Sequence, residues 1–191
     1  MPAQPEADPR PLTGEPLAID LLNTRWIDGA GRHDLLETPD GLEIWLAARP
    51  VREALGGSRV PPGQGTLDRV LQARAALDQV IASPARPAPA AVAALNAVLD
   101  HGWVRHRMGE DGGPAAEVEV DEPSWLPAWA AARDYLRLLA ERPHRIRPCG
   151  NPECILHFYD VSKNGTRRWC SMAGCGNRAK AQRHYTRHRR A

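Results

Sequence analysis

Cysteine is missing from the first 148 residues of this 191-residue chain, and lysine occurs only twice. No apolar run reaches the roughly 18 uninterrupted residues a membrane-spanning helix needs, so no membrane partner is expected. The opening "MPAQPEADPRPLTGEPLAIDLLNTR" has no basic start followed by an apolar block, which speaks against a secretory signal. The chain is therefore expected in the cytoplasm, where thiols stay reduced and disulfides are rare. No Gly-rich phosphate loop is present; "DGAGRHD" has glycines without the required spacing. No Ser or Cys nucleophile stands beside a base, and no carboxylate pair has a useful spacing, so catalytic residues are expected to be none. There is no internal repeat and no heptad. The length allows one or two domains with at least one sizeable core.

What is present is unevenly spread. The formal net charge is +2. From Arg142 onward, 12 Lys/Arg face 2 acids (Glu153 and Asp160), a net of +10; residues 1–141 carry 13 Arg and 21 acids, a net of −8. An acidic body joined to a basic module is a pattern that often meets nucleic acid.

All four cysteines lie in "CGNPECILHFYDVSKNGTRRWCSMAGC". Four residues separate Cys149 from Cys154 and four separate Cys170 from Cys175, with fifteen between the pairs. Disulfides, a catalytic thiol and a metal site compete for this pattern. The compartment argues against the first, and a lone nucleophile needs no matched pairs. Two short knuckles supplying four thiolates suit one tetrahedral Zn²⁺. Gly150, Asn151, Pro152 and Gly174 are turn residues that aim the sulfurs inward. Four protein ligands close the coordination sphere, so this zinc would be structural rather than catalytic. His157 is a further candidate ligand, or a residue on a strand face.

Between the pairs, "ILHFYDV" alternates as a strand, Asn164-Gly165 signals a tight turn, and "RRWC" is expected to return as the second strand. After Cys175 the sequence favours helix, with the last ligand in its first turn. Knuckle, hairpin, knuckle, helix is the layout of a treble-clef-like zinc finger, and the metal would supply much of its folding free energy. On that helix Lys180, Arg183, Arg187 and Arg190 fall on one stripe, widened by Arg178, Arg189, His184 and His188. Arg167 and Arg168 extend the footprint. Such clustered cations neutralise phosphates, and DNA is the expected partner. Tyr185 is expected to pack on the finger. Arg178 contacts phosphate or braces the knuckle through Asp160.

"CGNPEC", "FYDVSKN" and "RRWCSMAGCGNRAK" together resemble the CGNR zinc-finger family over about 40 residues. In that family the finger follows an N-terminal domain called ABATE, and members are proposed to be bacterial transcription regulators. "GEPLAIDLLNTRWIDGAGRHDLLETPDGLEIWLA" looks like the start of that domain. The resemblance implies zinc ligands Cys149, Cys154, Cys170 and Cys175, with DNA bound through the basic residues.

The acidic body reads as α+β, rich in helix with a small hairpin. Residues 1–14 are proline-rich and expected to be disordered. Residues 15–142 would form the ABATE-like domain and 143–191 the finger. "PLAIDLLNT" is too short to assign. Thr38 caps a helix that begins at Pro39 and places Leu42, Trp45 and Leu46 on one face. Helices are expected over 66–82, 90–100 and 125–141, the last with Trp129, Ala132, Leu136 and Leu139 on one side. "GWVRHRM" and "AEVEV" form a hairpin. Arg74 and Asp78 interrupt the apolar stripe of Leu67, Val70, Leu71, Leu77 and Ile81. Either they pair with each other, or Arg74, with Asn23 and Thr24, binds an anionic small molecule. His33 beside Asp34 is read as loop surface. A zinc-dependent DNA-binding regulator is the leading expectation, with a body that senses a ligand or partner. An RNA- or protein-binding adaptor and an enzyme tethered by its tail are the alternatives. A palindromic operator would imply a homodimer.

Overall fold

The computed structural model describes residues 8–188, with side chains as far as residue 182. The chain is α+β and about half helical. In the body, α1 (Leu17–Leu22) is followed by a hairpin of β1 (Arg25–Asp28) and β2 (Gly31–Asp34), then α2 (Pro39–Ala47), α3 (Arg49–Ala54), α4 (Gln64–Ile81) and α5 (Pro89–Leu99). A second hairpin, β3 (Gly102–Met108) with β4 (Pro114–Val120), precedes α6 (Leu126–Glu141). The finger contains β5 (Ile146–Pro148), β6 (His157–Tyr159) and α7 (Asn177–His188). Among the described residues all three sheets are antiparallel two-stranded hairpins.

The ambiguous "PLAIDLLNT" becomes the helix α1, and every one of its six residues is buried. A helix buried on every side must be covered on every side, and α1 packs against α3, α4, α6 and β6. Six residues are too few to be stable alone. Tertiary contacts supply what is missing: Asp134 on α6 accepts from the Ala18 N–H at 3.1 Å, satisfying a free donor of the first turn. The α2 start is as the sequence implies: Thr38 Oγ1 accepts from the Gly41 N–H at 3.3 Å, Pro39 opens the helix, and Leu42 and Trp45 are buried. On α6 the buried stripe is Ala128, Trp129, Ala131, Ala132, Tyr135 and Leu138. Leu136, expected on that side, is exposed.

The start of the chain is better held than its composition suggests. From Asp8 onward it is anchored by Arg10, which is buried and pairs with Asp8 and Asp20, each at 2.7 Å. Asp20 also accepts from the Trp45 indole N–H at 3.0 Å and the Gly14 N–H at 3.0 Å. Residues 1–7 lie outside the described residues.

The finger hairpin differs from the expected one. β6 pairs with β5, in the register Ile146↔Tyr159, Arg147↔Phe158, Pro148↔His157. The "RRW" segment forms no strand. The Asn164-Gly165 turn does form, with Gly165 at φ +62° and its N–H donating to Ser162 O at 3.1 Å. What closes it is a carboxylate rather than a strand ladder. Asp160 accepts from the Ser162 N–H, the Ser162 hydroxyl and the Arg167 N–H. The first cysteine knuckle is thus the loop of the real hairpin. Body and finger share one apolar core: Leu156 and Phe158 of the finger join the cluster that holds Leu17, Leu21, Trp45 and Leu77.

Candidate metal centre and basic surface

Cys149 follows β5, and Cys154 closes the tight turn after it, with its N–H on Asn151 O at 2.9 Å. The second knuckle is brought against the first by the backbone, since the Gly150 N–H donates to Arg168 O at 2.8 Å. A Cβ at position 150 would meet that same oxygen at 2.9 Å, so only glycine allows the approach. Cys175 sits in one wide turn of π-helix, Met172–Gly176, continuous with α7. The last cysteine thus lies just ahead of the helix rather than in its first turn. Ser171 caps that turn, its hydroxyl accepting from the Gly174 N–H at 2.9 Å.

The four sulfurs all lie within 4.8 Å of one another, and Cys149, Cys170 and Cys175 are buried. Cys154 and Cys170 are 3.8 Å apart. A tetrahedral site with Zn–S bonds of about 2.3 Å has sulfur–sulfur edges of about 3.8 Å, so the quartet fits one zinc ion. The electrostatics agree. The contact with Cys170 draws Cys154 down to about 5. Cys170 is pushed up, first by that same contact and then by burial. Burial pushes Cys149 up too. A dication held by the four sulfurs would take the place of their protons, as in a zinc thiolate site. Donors already point at the sulfurs: the Cys170 N–H to Cys149 at 3.4 Å, Asn151 Nδ2 to Cys175 at 3.4 Å, and the Arg178 guanidinium to Cys175 at 3.3 Å. These hold charge on the thiolates and orient them. His157 stands apart from the quartet, on β6, with its main chain held by Asn23. Burial lowers its pKa.

The basic residues divide by position. Arg168 and Lys180 are exposed. Arg178, also exposed, braces the knuckle through Cys175 and not through Asp160. Asp160 is instead flanked by Arg145 and Arg147, at 3.8 and 3.5 Å. Arg167 is turned inward. It donates to Trp169 O, Cys170 O and Tyr159 O, pairs with Glu15 at 2.9 Å, and lies over the Phe158 ring at 4.3 Å. That guanidinium is a pin, not a free phosphate contact. The side chains of Arg183, His184, Tyr185, Arg187 and His188, and residues Arg189 and Arg190 entirely, lie outside the described residues.

Two neighbouring arginines should therefore behave differently. Arg167→Ala should cost about 2 kcal/mol, the scale of losing hydrogen bonds to a charged group. Arg168→Ala should stay within about 0.5 kcal/mol of wild type. Equal melting temperatures for the two variants would refute this division.

The proposed anion-binding trio is engaged elsewhere. Arg74 makes a bidentate pair with Asp34, both contacts at 2.6 Å, and donates to Thr24 Oγ1 at 2.8 Å. Asp78 pairs with Arg25, so the expected Arg74–Asp78 pair does not form. Asp34 also caps the turn at Leu35–Glu37 through the Leu36 N–H. Its neighbour His33 pairs with Asp28 at 2.8 Å and stacks on Trp26. Asn23 reads the finger's backbone: its amide donates to His157 O and accepts from the His157 N–H, both at 2.9 Å. Glu15 does similar work, accepting from the Tyr159 N–H at 2.9 Å. No local signal marks Asn23 or Glu15 for this, because their partners are 134 and 144 residues away.

The CGNR zinc finger model matches residues 145–188. The ABATE model, described as "Putative stress-induced transcription regulator", matches residues 15–142. No curated protein matches the chain. Among the described residues no helix is long and apolar enough to cross a membrane. The chain belongs to the ABATE family and carries a CGNR zinc finger after its ABATE domain.

Proposed function

We propose that this protein is a DNA-binding transcription regulator whose finger holds one structural zinc ion and whose ABATE domain senses a small ligand or a partner, without catalysis of its own. The observation that carries this is the seating of α7 directly on the sulfur quartet. The metal would fix the base of a helix that carries Arg178, Lys180, Arg183 and Arg187, with Arg189 and Arg190 next in the sequence. Folded on zinc, residues 142–191 remain strongly cationic, because four thiolates and one Zn²⁺ take only two charges from +10. Exposed Arg168 and Lys180 lie beside the knuckles and extend the surface toward a phosphate backbone. The family descriptions, regulator and zinc finger, favour the same class.

The test is binding to duplex DNA at two salt concentrations. Lys180→Ala, Arg183→Ala and Arg187→Ala combined should weaken binding to all sequences alike. The slope of log K against log salt should flatten by about 3, one unit per lost phosphate contact. An unchanged slope would remove α7 from the interface. Tighter binding to RNA than to DNA at equal salt would make the protein an RNA adaptor instead.

A further inference from the structure

With Asn23, Thr24 and Arg74 all engaged within the protein, a ligand site in the body must be sought elsewhere. A cleft of about 350 Å3 lies between α2, α3 and the segment that follows α3. Small-molecule pockets commonly span roughly 300–1,000 Å3, apolar with a few convergent polar groups. Here Leu46, Leu55 and Val60 supply apolar wall, and Glu43, Arg52 and Arg59 supply charge. The three charged groups come from three different segments.

Gly56 and Gly57 both lie at positive φ, +62° and +70°, and turn the chain back toward α2. The turn is tied by the Gly57 N–H to Arg52 O at 3.0 Å and the Ser58 N–H to Leu55 O at 3.1 Å. Leu55 is buried beneath it. Eight of the thirteen arginines in residues 1–141 are ion-paired. Arg52 and Arg59 belong to the other five, and both line this one cleft. Among the described residues neither guanidinium has a hydrogen-bonding or ion-pair partner, although Glu43 lines the same cleft. With Glu43 counted against Arg52 and Arg59 the cleft keeps a net charge of +1, which one carboxylate would neutralise. A planar carboxylate matches the guanidinium fork, while a hydrocarbon tail matches the leucine and valine walls.

We infer that this cleft binds a small apolar monocarboxylate, with Arg52 and Arg59 holding the carboxylate and Leu46, Leu55 and Val60 taking the tail. This gives the sensing role proposed for the body a site and a ligand class, and it rests on that role only for its purpose. Binding is measured without DNA, so a failed acid titration leaves DNA binding untouched, and failed DNA binding leaves the titration untouched.

The test is an NMR titration of the full-length zinc-loaded protein with phenylacetate and with hexanoate, using phenylacetamide as the uncharged control. At least one acid should give saturable shifts confined to backbone amides of residues 43–62. The amide should bind about tenfold more weakly, as should the acid to the combined Arg52→Ala, Arg59→Ala variant. Both arginines are exposed, so that variant should melt with wild type. The comparison of acid with amide on the unmodified protein stands even if the variant folds poorly. Equal affinity for acid and amide, shifts centred elsewhere, or no saturation by about 10 mM of either acid would overturn the assignment.

Discussion

Cys170→Ser should take the purified protein from one zinc ion per chain to none and unfold residues 145–188. The physical reason is size. The finger's contribution to the core is small, centred on Leu156 and Phe158, while structural zinc contributes roughly 10–16 kcal/mol of apparent binding energy in such modules. Serine offers no soft ligand, and at position 170 it also removes the thiol 3.8 Å from Cys154. The consequence should spread beyond the finger, because body and finger share a core. Losing β6 uncovers one side of α1, and Asn23 and Glu15 lose their backbone partners. Circular dichroism should therefore keep most of its helical signal, from α2, α4, α5 and α6, while the melting temperature of the body falls. A metal chelator should reproduce the variant. Metal-free protein with residues 145–188 fully protected from hydrogen exchange would refute the metal's structural role.

Asp20→Ala should destabilise the body by about 3–5 kcal/mol, the cost of breaking a buried ion pair from one side. Asp20 is 1% exposed and answers three donors at once: the Arg10 guanidinium, the Trp45 indole and the Gly14 N–H. Alanine leaves the Trp45 N–H without a partner in the centre of the core, where an unsatisfied donor is expensive. Arg10 keeps Asp8, which softens the loss without removing it. For a chain of this size the melting temperature should drop by roughly 6–20 °C. Asp20→Asn, which retains one acceptor oxygen, should fall between wild type and alanine. A change of less than about 2 °C for alanine would mean that the network contributes nothing net.

Much of the molecule is legible locally. Helix α2 carries its own start signal in Thr38 and Pro39, and α4, α5 and the β3–β4 hairpin follow from periodicity and breakers. The sulfur quartet is legible too, because matched pairs with turn residues between them leave few geometries. The differences share one cause. Nearness along the chain pairs β6 with the segment across the Asn-Gly turn, yet it pairs with β5 on the far side of a knuckle. Spacing on α4 offers Arg74 the Asp78 carboxylate one turn away, yet its partner is Asp34, forty residues earlier. Basic neighbours suggest surface charge at Arg167, yet four main-chain and side-chain acceptors converge on it.

The sequence by itself determined the cysteine quartet that can hold zinc, the helix-rich body and the division of charge, since each depends on residue type and short spacing. Only the tertiary structure decided which carboxylate each arginine meets, that α1 is a buried helix, and that Asn23 and Glu15 clasp the finger to the body. A charged side chain takes whichever partner the packed core brings within reach, and that choice is made by segments distant along the chain.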